Sequence, residues 1–108
     1  MKKIVYNKLV RDKIPQIIAA NGNTCTTQVL SREEYLCKLD EKLTEELQEY
    51  QQSKSLEELA DLLEVMEATV LARGYSWQEL IEVRDRKREK RGGFSQKILL
   101  CEVTENDS

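Results

Sequence analysis

The stretch SREEYLCKLDEKLTEELQEYQQSKSLEELADLLEVMEATVLARG, residues 31–74, reads as two amphipathic helices around a short break. Ser31 followed by Glu34 is a capping-box start. Leu36, Leu39, Leu43, Leu47 and Tyr50 then recur at steps of three and four, the period of one helix face. QQSKS (51–55) interrupts that period, and Leu56 to Ala72 resumes it until Gly74. The second helix has two apolar rows: Leu59, Leu63, Met66 and Val70, and beside it Val65, Ala68 and Ala72 behind Asp61. A helix apolar over that much of its circumference needs cover on more than one side.

Outward from this pair the pattern weakens. Residues 1–11 have no helical period. Asp12 is placed to cap a short helix over 13–20 that turns Ile14, Ile17 and Ile18 to one face, with Pro15 in its first turn and Gly22 past its end. TCTTQVL (24–30) reads as a short strand or an extended connection. Ser76 opens a further helix that runs to about Lys90 and stops at Gly92 and Gly93. SQKILLCEV (95–103) has a strand's composition, and TENDS (104–108) reads as a frayed end. The expectation is a single all-α domain over 1–108, a bundle of antiparallel helices with short β appendages at both ends.

Composition removes whole classes of chemistry. With no histidine among 108 residues, Ser-His-Asp and Cys-His catalysis and ordinary zinc sites are out of reach. The three cysteines, Cys25, Cys37 and Cys101, are odd in number and lack C-x-x-C spacing, which points to a reducing, cytoplasmic setting. No run is apolar and long enough for a signal peptide or a membrane span. A net charge of −3 is no mark of a general polyanion binder.

The acids are the informative feature. At about 100° per residue, Glu46 falls about 60° from Leu43 at the centre of the first stripe, and Glu49 about 120° to the same side. Lys42 lies between those directions. On the second helix Asp61 heads an apolar row, where an ionised carboxylate is costly without a positive partner. That helix has no Lys or Arg before Arg73, so a bound cation is the economical partner. Antiparallel packing would bring Glu46 and Glu49 to Glu58 and Asp61. Oxygen donors alone suit Mg²⁺, or Mn²⁺ in its place. The blander alternative is a Glu-rich solvated surface, with Glu58 serving only in a capping box begun by Ser55.

EELQE (45–49) followed by EELAD (57–61) resembles the E-E-x-x-E … E-x-x-D signature of the MazG-like all-α nucleotide pyrophosphohydrolase superfamily. NKLVRDKIPQII (7–18) and KREKRGGFSQKILL (87–100) resemble flanking segments of its small phosphoribosyl-ATP-pyrophosphohydrolase-like members. Eight residues separate Glu49 from Glu58, fewer than is usual in the family, so the turn must be tight. The resemblance implies hydrolysis of a nucleoside triphosphate to a monophosphate and pyrophosphate. It implies Mg²⁺ held by Glu46, Glu49, Glu58 and Asp61, with Glu45 or Glu64 acting on the attacking water. Phosphoribosyl-ATP is the alternative substrate, and a non-catalytic metal-binding helical oligomer is the alternative of another kind.

The basic residues have two readings each. Lys8, Arg11 and Lys13 either meet substrate or form a solvated terminus; Lys42 is placed to join them. In RDRKREKR (84–91), Lys87 and Arg91 are the expected phosphate ligands, while cations near a helix end also complement its dipole. Asp85 and Glu89 interrupt the run and weigh against nucleic acid. Trp77 and Phe94 read as packing anchors. The two apolar faces of the second long helix lead us to expect a homodimer or a larger homo-oligomer.

Overall fold

A computed structural model describes residues 2–106. Its elements are four helices: α1 (Ile14–Ala20), α2 (Arg32–Ser53), α3 (Leu56–Ala72) and α4 (Trp77–Arg91). The all-α class is as expected. Two compact units divide the chain, Met1–Trp77 and Gln78–Ser108.

The first unit is organised by α2 and α3, which pack on each other. Ser31 caps α2 by accepting the Glu34 backbone N–H at 3.2 Å, and its hydroxyl donates to the Glu34 carboxylate at 2.9 Å. Ser55 caps α3 by accepting the Glu58 N–H at 3.3 Å. Both caps satisfy donors that would otherwise be orphaned in the first turn. The period break at QQSKS is shorter than it reads, because α2 continues through Ser53. Lys54 then takes a left-handed conformation (φ 58°) and its N–H closes on Tyr50 O at 2.7 Å. Only Lys54 and Ser55 lie between the helices, so the turn is as tight as the acid spacing requires. Arg32 near the start of α2 reaches the Ala72 carbonyl at the end of α3, and Asp40 meets Arg73 at 3.3 Å. With a two-residue turn joining the other ends, this meeting of the start of α2 with the end of α3 runs the two helices in opposite directions.

Leu39, 3% exposed, is the buried hydrophobic residue of this pair among the described residues. Leu36, Leu43 and Tyr50 of the same stripe are half-buried, as are Val65, Ala68 and Ala72 of α3. The other row of α3 remains exposed at Leu59, Leu63 and Met66.

Three expectations need correction. Asp12 does not cap α1: the N-cap is Lys13, in helical conformation and without a side-chain cap, so the helix begins one residue later. No strand forms among the described residues, at 24–30 or at 95–103. A strand needs a hydrogen-bonding neighbour, and here neither segment has one. The second segment is also broken at its start, where Lys97 has φ 60° and its N–H returns to Phe94 O. Of the frayed end expected over 104–108, Asp107 and Ser108 lie outside the described residues. Among the described residues, no helix is long and apolar enough to cross a membrane.

Candidate functional site

Helix α2 supplies Glu45, Glu46 and Glu49, and α3 supplies Glu58 and Asp61. The short turn sets these segments beside each other. One carboxylate oxygen from each of Glu46, Glu58 and Asp61 lies within 4.8 Å of the others. Glu46 is only 6% exposed, which its shoulder position next to the Leu43 stripe explains. One oxygen of Glu46 and one of Glu58, Oε2 in each, are buried with no hydrogen-bond partner among the described residues. The cap on α3 uses the backbone N–H of Glu58 and the Ser55 hydroxyl, so capping leaves the Glu58 carboxylate uncommitted.

Glu49 is exposed and stands outside that close triplet, yet its carboxyl reaches both Glu46 and Glu58. Two ionised carboxylates have no hydrogen to share, so such contacts bond only when a proton sits between them. Burial raises the Glu46 pKa above the usual carboxylate value; the Glu49 and Asp61 charges add to the rise, and Lys42 opposes it. Glu58 is raised for the same reasons, burial first and then the Glu49 and Asp61 charges. This is a site that resists its own negative charge.

Three cations partly answer it. Arg11 Nη2 meets Asp61 Oδ1 at 2.6 Å. Asp61 therefore has a protein partner, contrary to the sequence reading, and it comes from the N-terminal segment rather than from a neighbouring helix. Lys8 Nζ meets Glu45 at 3.1 Å, and Lys42 Nζ lies 3.3 Å from Glu45 and 3.6 Å from Glu46. Burial would raise the Glu45 pKa, but the Lys8 and Lys42 contacts outweigh it and hold Glu45 below its ordinary value. The Glu45 partnership raises Lys8 in turn. Five acids against three cations leave two negative charges, the charge of one dication.

That residue, all-oxygen donors and two unpartnered buried oxygens fit a hard dication. The space beside Lys8 and Lys42 is only about 20 Å³, room for a water and not for a nucleotide.

Glu64 and Lys13, in the same unit, stand outside this cluster. Glu64 is exposed on α3, one turn past Asp61, with no ion pair among the described residues. Lys13 is exposed at the start of α1. Lys87 and Arg91 belong to the second unit, where they line an open groove with Arg88 and Phe94. Phe94 is 99% exposed, so in this chain it is no packing anchor. The Arg11–Asp61 pair was missed because its members are fifty positions apart and no local spacing records it.

No family model matches the chain. Among curated proteins, an uncharacterized protein of Mycolicibacterium smegmatis (strain ATCC 700084 / mc(2)155) is 50% identical over 42 residues. The match covers 39% of this chain and 43% of that protein's length. No solved structure matches.

Proposed function

We propose that the protein is a Mg²⁺-dependent nucleoside triphosphate pyrophosphohydrolase, converting NTP and water to NMP and pyrophosphate. The observation that carries this reading is the pair of buried, unpartnered oxygens on Glu46 and Glu58 beside Asp61. Unpaired buried carboxylates cost folding energy, and a bound cation removes the cost. The E-E-x-x-E … E-x-x-D spacing supports the same reading, as does the lack of any histidine for another hydrolytic route.

Glu46, Glu49, Glu58 and Asp61 would hold the ion, with Mn²⁺ able to substitute. When bound, it supplies charge neutralisation for the phosphates and acidification of a water. Arg11 and Lys8 are placed to move from their carboxylates to phosphate oxygens, which attract a guanidinium more strongly. Glu45, held ionised by Lys8 and Lys42, orients a water better than it takes its proton. Glu64, without an ion pair among the described residues, is the better proton acceptor if substrate brings water to it.

A second copy of the chain is the proposed cover for Leu59, Leu63 and Met66, completing a bundle of antiparallel helices. The exposure of all three side chains on one helix face supports this. Light scattering at micromolar concentration should report a dimer or larger. Three exposed thiols suit a cytoplasmic enzyme.

The test is a panel of ribo-, deoxy- and modified triphosphates, with phosphoribosyl-ATP alongside, assayed for pyrophosphate with Mg²⁺ and with EDTA. Mg²⁺-dependent pyrophosphate from triphosphates is the expected result. Turnover of phosphoribosyl-ATP alone would change the substrate, and no release from any of them would leave a non-catalytic metal-binding oligomer.

A further inference from the structure

The segment that follows α4 exposes a run of aliphatic side chains. Ile98, Leu99, Leu100 and Val103 all face solvent, Leu99 at 84%. From Ile98 to Asn106, no backbone N–H or carbonyl enters a backbone hydrogen bond among the described residues. None of these residues is helical or has a positive φ, and the left-handed turn at Lys97 (φ 60°) stands just before them. An unpaired stretch of strand composition is a template for another strand. Apolar side chains gathered in water mark an interaction surface.

The charge pattern selects the partner. Lys97 stands at one end of the segment, with Glu102 and Glu105 toward the other. Two copies running parallel and in register would set like charges side by side, which is destabilising. In an antiparallel pair, a two-fold axis perpendicular to the ribbon places one residue opposite itself, and that residue fixes the register. With Cys101 on the axis, Lys97 faces Glu105 of the second copy and Leu99 faces Val103 of the second copy. All four share one face with Cys101, because side chains alternate along a strand. Moving the axis to Leu100 sets Ile98 against Glu102, and moving it to Leu99 leaves Lys97 against Cys101. An axis on Glu102 sets that acid against its own copy. TCTTQVL (24–30) carries no charge with which to fix a register.

We propose that residues 97–105 of two copies of the chain pair as antiparallel strands with Cys101 on the two-fold axis. An ion pair of Lys97 with Glu105 closes each end, and Leu99 packs on Val103 on either side of the axis. The surface uses no residue of α3, and nothing in it depends on the hydrolase reading. A lone two-stranded ribbon is marginal in water, so this contact forms and breaks, and chemical trapping is the way to read it. Directly opposed residues of an antiparallel pair have Cα atoms about 4.5–5.5 Å apart, within reach of a disulfide. The Cys101 thiol, which is free and exposed, is therefore a built-in reporter.

The experiment oxidises the full-length protein with diamide at low ionic strength, where charge pairs are least screened, and follows linked dimer on non-reducing gels. Each disulfide passes two electrons and two protons from the paired thiols to one diamide. Rates are normalised to each thiol's reaction with a small neutral disulfide, and circular dichroism confirms the helices in every variant. With Cys25→Ser and Cys37→Ser, the remaining Cys101 should link at least tenfold faster than Cys25 or Cys37 does when kept alone. Lys97→Glu should slow the Cys101 link several-fold, as should Glu105→Lys, and the two together should restore it. The same pattern should persist in Leu63→Asp, which attacks the α3 face, so failure of that contact and failure of this one are distinguishable. A Cys101 link no faster than that of Cys37, no rescue by the double charge exchange, or loss of the pattern in Leu63→Asp would each overturn the proposal. Faster linking of Cys25 to Cys101 in a Cys37→Ser chain would also overturn it, by making 24–30 the partner strand.

Discussion

Glu46→Gln should make the metal-free protein more stable and deaf to magnesium. The side chain is 6% exposed, and burial first, then the Glu49 and Asp61 charges, raise its pKa against one positive neighbour, Lys42. Lys42 also has Glu45 as a partner, so it is not stranded by the change. Gln keeps the shape, removes the repulsion and gives the neighbouring carboxylates an amide donor. A hydrogen bond to a charged group contributes about 1.5–3 kcal/mol. With about 4–8 °C per kcal/mol for a chain of this size, melting in EDTA should rise by roughly 6–24 °C. Wild type should gain comparably from Mg²⁺, because a ligand at a hundredfold its Kd adds about 2.7 kcal/mol. The variant should gain little, and pyrophosphate release should vanish. Paired thermal melts by circular dichroism, at one protein concentration, with EDTA or millimolar Mg²⁺, read all of this. A variant that melts below wild type in EDTA, with a wild type indifferent to Mg²⁺, refutes the reasoning.

The same charges set a pH dependence. Glu46 and Glu58 have raised folded-state pKa values, so the folded form binds protons more tightly than the unfolded chain. Metal-free stability should therefore fall as pH rises from about 4.5 through the raised values, and denaturant midpoints should show a shallower fall in Glu46→Gln. Glu45 has the opposite sign: its stabilisation is present above that range and lost as pH drops through its lowered value. Arg11→Met removes an exposed ion pair, and such pairs contribute about 0–1 kcal/mol, so the melt should barely move. If Arg11 meets a phosphate, kcat/KM should fall about 10- to 100-fold; an unchanged kcat/KM would return Arg11 to a surface role. Leu39→Ala empties the most buried apolar position and should cost about 2–5 kcal/mol, visible as lost helicity at moderate urea.

Local signals were legible and distant ones were not. Ser31 and Ser55 mark α2 and α3 because a cap needs only three residues of context. The burial of Glu46 and exposure of Glu49 follow from their angles to Leu43 along a single helix. Strands at 24–30 and 95–103 could not be read reliably, since β composition becomes a strand only when a neighbour pairs with it. Nor does any periodicity tell that Lys8 and Arg11 reach Glu45 and Asp61, for that depends on how an irregular segment crosses the helices. Phe94 was misjudged for a related reason: aromatic character predicts burial on average, and a ring kept in solvent is the exception.

The cationic arm gives the proposed activity a thermodynamic consequence. While Arg11 and Lys8 sit on Asp61 and Glu45, they compete with an incoming ion for the same oxygens. A nucleotide that draws those side chains to its own phosphates frees the oxygens and so tightens the hold on the ion. By reciprocity, the ion must tighten the hold on the nucleotide by an equal factor. Residues 8 to 11 would thus make the two ligands heterotropic activators of each other, with little loading of either alone.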